Sequence, residues 1–165
     1  MSAMASAQVT AATRALLRDA MNLHSAGRID AALKTARRAV ALAPRFAEAH
    51  VYLGNTLVTR QRQFADGLAA LRHAIELSPN DATTIYTTGW CEEYVANALE
   101  RPRHPHQAVA EDAPMLYAAA RAHFLQALAA NPDDQLKADI EDMLDVVAAA
   151  TGEPWEPDEP AGRSA

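Results

Sequence analysis

Apolar residues recur at spacings of three and four along most of this chain, and short polar or proline-bearing stretches interrupt them. That is the period by which an α-helix presents one face to a core. From about Thr10, the segment ATRALLRDAMNLHSA carries Leu16, Ala20 and Leu23 on one side, and Gly27 can take the left-handed conformation that ends a helix. A second helix is predicted from about Ile29 to Leu42, broken by Pro44. FAEAHVYLGNTLVTRQ and FADGLAALRHAIELSP repeat this plan, with a turn near Arg62 and a stop at Pro79. Asn80-Asp81 caps DATTIYTTGWCEEYVANAL, and MLYAAARAHFLQALAANP ends at Pro132. A last amphipathic helix, DDQLKADIEDMLDVVAAA, sets Leu136, Ile140, Leu144 and Val147 against acids on its other side. The pattern predicts an all-α chain built from antiparallel helix pairs.

The three proline-terminated phrases rhyme. Small residues precede each proline at fixed distances: Ala32 and Ala39, then Gly67 and Ala74, then Ala120 and Ala127. An apolar residue, Ala36, Leu71 or Phe124, stands three before the second of each pair. A fixed period of this kind means one supersecondary unit copied and stacked. Pro44 and Pro79 stand 35 residues apart, but Pro79 and Pro132 stand 53 apart. The third unit therefore carries an insertion, ERPRHPHQAVAEDAP, whose prolines at 102, 105 and 114 predict a loop between its two helices.

On these residues the chain resembles the tetratricopeptide-repeat family. The first unit offers Leu16, Ala20, Leu23, Gly27, Ala32, Ala36, Ala39 and Pro44. The second offers His50, Leu53, Gly54, Leu57, Gly67, Leu71, Ala74 and Pro79, and the third Ile85, Gly89, Ala120, Phe124, Ala127 and Pro132. The turn glycine is missing from units two and three, and the insertion splits the third. The resemblance implies a tetratricopeptide-like, right-handed helical-hairpin solenoid. Its expected organisation is a flexible leader at 1–9, repeats at about 13–46, 47–80 and 81–133 with the insertion at 101–114, and a capping helix at 134–150. Residues 151–165, rich in proline and acid, are expected to be a disordered tail.

Composition narrows the partners. At 165 residues, with 50% hydrophobic and only 5% aromatic residues, alanine supplies much of the apolar content, which suits closely packed helices. A net charge of −6 and a pI near 5.4 argue against nucleic acid or an anionic membrane as main partner. No apolar run is long enough to span a bilayer. The N-terminus shows no apolar signal core behind a basic start. The single cysteine, Cys91, excludes an intramolecular disulfide and fits a cytoplasmic setting.

In the family, the first helices of successive units line a concave groove that holds a partner's peptide. Carried over, the inward positions are Arg14, Leu17, Arg18, Met21 and His24 in unit one. Unit two contributes Glu48, Val51, Tyr52, Asn55, Val58 and Thr59, and unit three Thr83, Tyr86, Thr87, Trp90 and Glu93. The partner-binding set expected from them is Leu17, Met21, Val51, Tyr52, Asn55, Thr59, Thr83, Tyr86 and Trp90. Asn55, in LGN, resembles the family's contact to a bound backbone, since an amide both donates and accepts. Tyr52, Tyr86 and Trp90 are rigid anchors of the type that dominates interfaces. The family's two-carboxylate clamp is missing, because Leu17, Met21, Thr83 and Thr87 replace its cations and amides. The reading is an adaptor or chaperone-like scaffold for another protein's peptide or helix, without a cofactor. Self-association through exposed solenoid ends is a further class, and the size resembles that of secretion chaperones.

The competing reading is a metal- or cofactor-handling accessory protein using Cys91, His104, His106 and His123. No phosphate-binding loop, nucleophile elbow or His-Glu-x-x-His is present, so no enzyme is expected. Glu92-Glu93 and Glu111-Asp112 read as solvated acids, and Arg37-Arg38 and Arg60 with Arg62 as salt-bridging surface. Trp155 is expected to pack back on the last helix, with docking on a neighbouring molecule or a recognition motif as alternatives.

Overall fold

A computed structural model describes residues 9–156. Among them are seven α-helices and no strand, so the chain is all-α: α1 (Ala11–Ser25), α2 (Ile29–Leu42), α3 (Ala47–Gln61), α4 (Phe64–Leu77), α5 (Ala82–Glu100), α6 (Ala113–Ala129) and α7 (Asp134–Thr151). The helix starts follow local chemistry. Thr10 forms a reciprocal capping box with Thr13, and the carboxylates of Asp81, Asp112 and Asp133 each accept a first-turn backbone N–H. Pro114 lies in the first turn of α6, where its missing N–H costs nothing, so the irregular stretch is shorter than the expected 101–114.

The closest packing is within the pairs α1/α2, α3/α4 and α5/α6, and each pair then meets the next. Gly27 turns the first pair at φ +76. Arg62 takes the left-handed conformation at the equivalent turn of the second pair, φ 52, where no glycine is present. That conformation is strained for a branched-at-Cβ or bulky residue and tolerated by Arg62 because its backbone carbonyl and guanidinium are both held. Gln107 N–H donates to Arg62 O at 3.0 Å, while Arg62 Nε donates to Pro105 O at 3.1 Å.

The rhyming positions are the core. Ala32, Ala36 and Ala39, then Leu71 and Ala74, then Ala120, Phe124 and Ala127 are all fully buried. Their small size sets the helix separation. A Cβ placed on Gly54 of α3 would lie 2.7 Å from the Gly67 carbonyl oxygen and 2.6 Å from Leu71 Cγ. The reverse holds for Gly67, whose Cβ would meet the Gly54 carbonyl at 2.8 Å. In the next pair, a Cβ on Gly89 would meet Phe124 Cε1 at 2.9 Å. Backbone therefore packs on backbone where α3 crosses α4. Two smaller apolar clusters, around Leu17, Ala39 and Phe46 and around Ala20, Leu33 and Leu53, join α1 and α2 to α3. One larger cluster runs from Val58 to Val147.

The chain ends differ in part from expectation. Val9, in the expected leader, packs on the Leu17 cluster, and residues 1–8 lie outside the described region. In the expected disordered tail, Thr151 is the last residue of α7 and Gly152 closes it at φ +75. Trp155 folds back, its Nε1 donating to Asp145 at 2.7 Å, because a large ring gains more against α7 than in water. Residues 157–165 of that tail lie outside the described region. No helix among the described residues is long and apolar enough to cross a membrane.

Gly54→Ala tests the close crossing. On an open helix the change gains up to about 1 kcal/mol, whereas here it should lower stability by about 1–3 kcal/mol through overpacking. Urea melts measure the sign, and an unchanged or raised midpoint would contradict the geometry.

Candidate functional site

The first helices of the three pairs, α1, α3 and α5, border one groove of about 570 Å³. Val51, Tyr52, Asn55 and Thr59 line it from α3, Tyr86 and Trp90 from α5, and His24 from α1. Six of the nine expected groove residues thus share a single cavity. The spacing explains it: 52, 55 and 59, like 86 and 90, fall on one helical face. Thr56 and Arg60 complete the lining, and both were missed although they follow Tyr52 at steps of four. His24 and Thr87, mapped as inward positions, also line it.

The other three expected residues stand elsewhere. Leu17 is 8% exposed and packs in the α1–α2–α3 core, because it shares a face with fully buried Ala20, three residues on. Met21 is 52% exposed and Thr83 is exposed, and neither lines the cavity. Val58, also mapped inward, is fully buried and faces Gly67 across the α3–α4 crossing.

The polar groups of the groove are unequally committed. Tyr52 bridges α1 and α3: its hydroxyl donates to Ala20 O at 3.3 Å and sits 3.1 Å from His24 Nδ1. Burial raises its phenol above the usual range, while a hydrogen bond with Thr56 opposes this. It is a fixed wall with an occupied tip. Thr59 Oγ1 donates to Asn55 O at 2.8 Å and, at 3.4 Å, to its side-chain Oδ1, while the Asn55 side-chain N–H₂ has no partner among the described residues. Trp90 stacks on Tyr94 at 5.6 Å, and its indole N–H has no partner among the described residues. Tyr86 tilts against Phe124, and burial, then Asp139 and Asp142 of α7, raise its phenol. The groove offers aromatic faces and, among the described residues, uncommitted donors on Asn55, Arg60 and Trp90.

The insertion is not a free loop. Besides its bonds to Arg62, its Gln107 Oε1 accepts Asp66 N–H at 3.0 Å, and His106 stacks on Phe64 at 4.9 Å. Phe64 in turn meets Tyr94 edge-on at 6.3 Å. An unbroken aromatic contact path runs from Trp90 in the groove to His106 in the insertion.

Beneath this path lies an ionic network that the sequence reading misassigned. Glu92 is fully buried, not solvated. Nε and Nη2 of Arg72 both reach its Oε1 at 3.2 Å, and His123 Nδ1 donates to its Oε2 at 2.6 Å. Nη1 of Arg72 also holds Glu111 of the insertion at 2.6 Å, and this bond draws the Glu111 carboxyl below the usual range. Charge buried this deeply must be paired, and here α4, α5, α6 and the insertion each supply one member. Arg60 forms no ion pair among the described residues, and Arg62 spends its guanidinium on carbonyls rather than acids.

The metal reading finds no such assembly. Cys91 is fully buried, with its thiol pushed up to about 12, chiefly by burial and then by Glu92. His123 is engaged by Glu92, His106 Nδ1 donates to Gln107 O, and His104 is exposed. Among the described residues, no group of three or more His, Cys, Asp and Glu side chains is placed to hold a metal ion.

Arg72→Met should destabilise the fold by about 3 kcal/mol, the low end for a broken buried pair because Arg72 reaches solvent. Arg72→Met combined with Glu92→Leu should recover part of that loss, and additive losses in urea melts would contradict the coupling. Cys91 should resist iodoacetamide in the folded chain at mildly alkaline pH and react once urea unfolds it. The unfolded chain releases this proton from about 9.0, the folded chain only near 12, so stability should fall as pH rises across that window. Cys91→Ala should flatten the fall, and rapid alkylation of the native protein would refute the burial.

No family model matches the chain, and no curated protein matches it. The groove's role therefore rests on its own residues.

Proposed function

We propose that this chain is a protein–protein interaction adaptor, or chaperone-like scaffold, that holds a peptide or helix of its partner in the groove bordered by α1, α3 and α5. The wider architecture we infer is a tetratricopeptide-like solenoid of three helix pairs closed by α7. The observation that carries this reading is the convergence of first-helix residues from all three pairs on one cavity, eight of its ten lining residues being positions mapped inward. The recognition is noncovalent. Tyr52 is locked by two bonds and serves as a rigid wall, so little entropy is lost when a ligand packs on it. Trp90 and Tyr86 present apolar faces. Asn55 supplies the donor that an extended backbone, with its own groups unpaired, requires.

The test begins with peptides enriched from a randomised display library on the full chain. Asn55→Ala with Trp90→Ala should weaken their binding by roughly 30-fold or more, as loss of a central anchor does, while the helical circular-dichroism spectrum shows the chain still folded. Equal affinity for the double variant, measured by calorimetry, would refute the groove assignment.

A further inference from the structure

The groove does not end at Trp90. Beyond the Trp90–Tyr94 stack, the same side of α5 continues into a second cavity of about 310 Å³, bounded by Tyr94, Asn97 and the start of the insertion. Arg62, Arg101, Arg103 and His104 line it, with Glu93 as its one acid among the described residues. Burial raises the Glu93 carboxyl above the usual range, and it is one acid facing three arginines. In a chain of net charge −6, this is a local reversal of sign directly in line with the groove. Arg101 and Arg103 are exposed and form no ion pair among the described residues.

The placement of these cations is built. The insertion is tied to the α3–α4 turn by Arg62 Nε to Pro105 O, Arg62 Nη2 to His104 O and Gln107 N to Arg62 O. His106 stacked on Phe64 and Glu111 on Arg72 fix its far half. The arginines are thus presented from an anchored segment, and a ligand need not order it on arrival.

We infer that the partner segment is bipartite: an aromatic or aliphatic side chain on the Trp90 side, joined to an acidic stretch lying on Arg62, Arg101 and Arg103. The proposal rests on the groove reading and names the chemistry that this groove selects. Eleven residues separate Trp90 from Arg101, about 16 Å at roughly 1.5 Å per helical residue. An extended peptide covers that in about five residues, which sets the distance between anchor and acids.

The experiment uses the same randomised library on the full chain and on R101E/R103E. Wild-type selection should enrich peptides with an apolar or aromatic residue and at least two Asp or Glu some three to six positions away, a spacing set by the extended rise per residue. For a selected peptide, replacing its acids by Gln should weaken binding roughly three- to ten-fold, as the loss of a few exposed ion pairs does. That difference should shrink with added salt and vanish in R101E/R103E, while the Gln peptide binds both chains equally. Enrichment without acids, or an acid preference that survives R101E/R103E, would overturn the bipartite reading and leave the groove standing. No enrichment on the wild-type chain would overturn both. A doubled mass in light scattering, with the groove closed to all peptides, would assign the surface to a second copy and overturn the proposal as well.

Discussion

The close crossing of α3 over α4 is the constraint on which the other features depend. Gly54 and Gly67 face each other's carbonyls with no room for a methyl group, so the two backbones meet almost directly. Each glycine makes room inside the pair for a larger side chain of the facing helix, Leu71 of α4 over Gly54 and Val58 of α3 over Gly67. Gly89 admits Phe124 in the same way in the next pair, and Phe64, Leu71, Ile85 and Phe124 fill the core that results. Tyr52, Tyr86 and Trp90 stand on the cavity-lining face of the first helices that this crossing holds in place.

The buried ion network adds a different kind of order. Apolar packing tolerates small slips, but a fully buried carboxylate held by Arg72 and His123 from two other helices does not. Glu92 fixes α5 relative to α4 and α6, and through Arg72 it extends to Glu111. The wall carrying Trp90 and the insertion carrying Arg101 and Arg103 are thereby referred to one buried point. Recognition surfaces gain from such pre-organisation, because less ordering remains for the binding event.

Much of this was legible in the chain. The small residues before Pro44, Pro79 and Pro132 marked the buried positions of the second helices correctly, since steric exclusion at a helix crossing leaves a local and periodic trace. The groove faces of α3 and α5 followed from steps of three and four. On α1 the same mapping failed: Leu17 turned into the core and Met21 away from the cavity, leaving His24 as the one residue of α1 at the wall. Nothing in the local text distinguishes Glu92 from Glu93. Their difference comes from Arg72 and His123, 20 and 31 residues away, and only the folded chain brings those together. Arg62 in a left-handed turn was equally hidden, because the residues that hold it lie in the insertion.

The chain has two tryptophans, Trp90 in the groove and Trp155 against α7, so Trp155→Phe leaves a single reporter at the proposed binding surface. Titrating that variant with a peptide selected on the full chain, while following fluorescence, tests the central claim most directly. The account predicts a saturable shift of Trp90 emission with the same midpoint as calorimetry. Saturation by calorimetry with Trp90 emission unmoved would place the peptide elsewhere and contradict it.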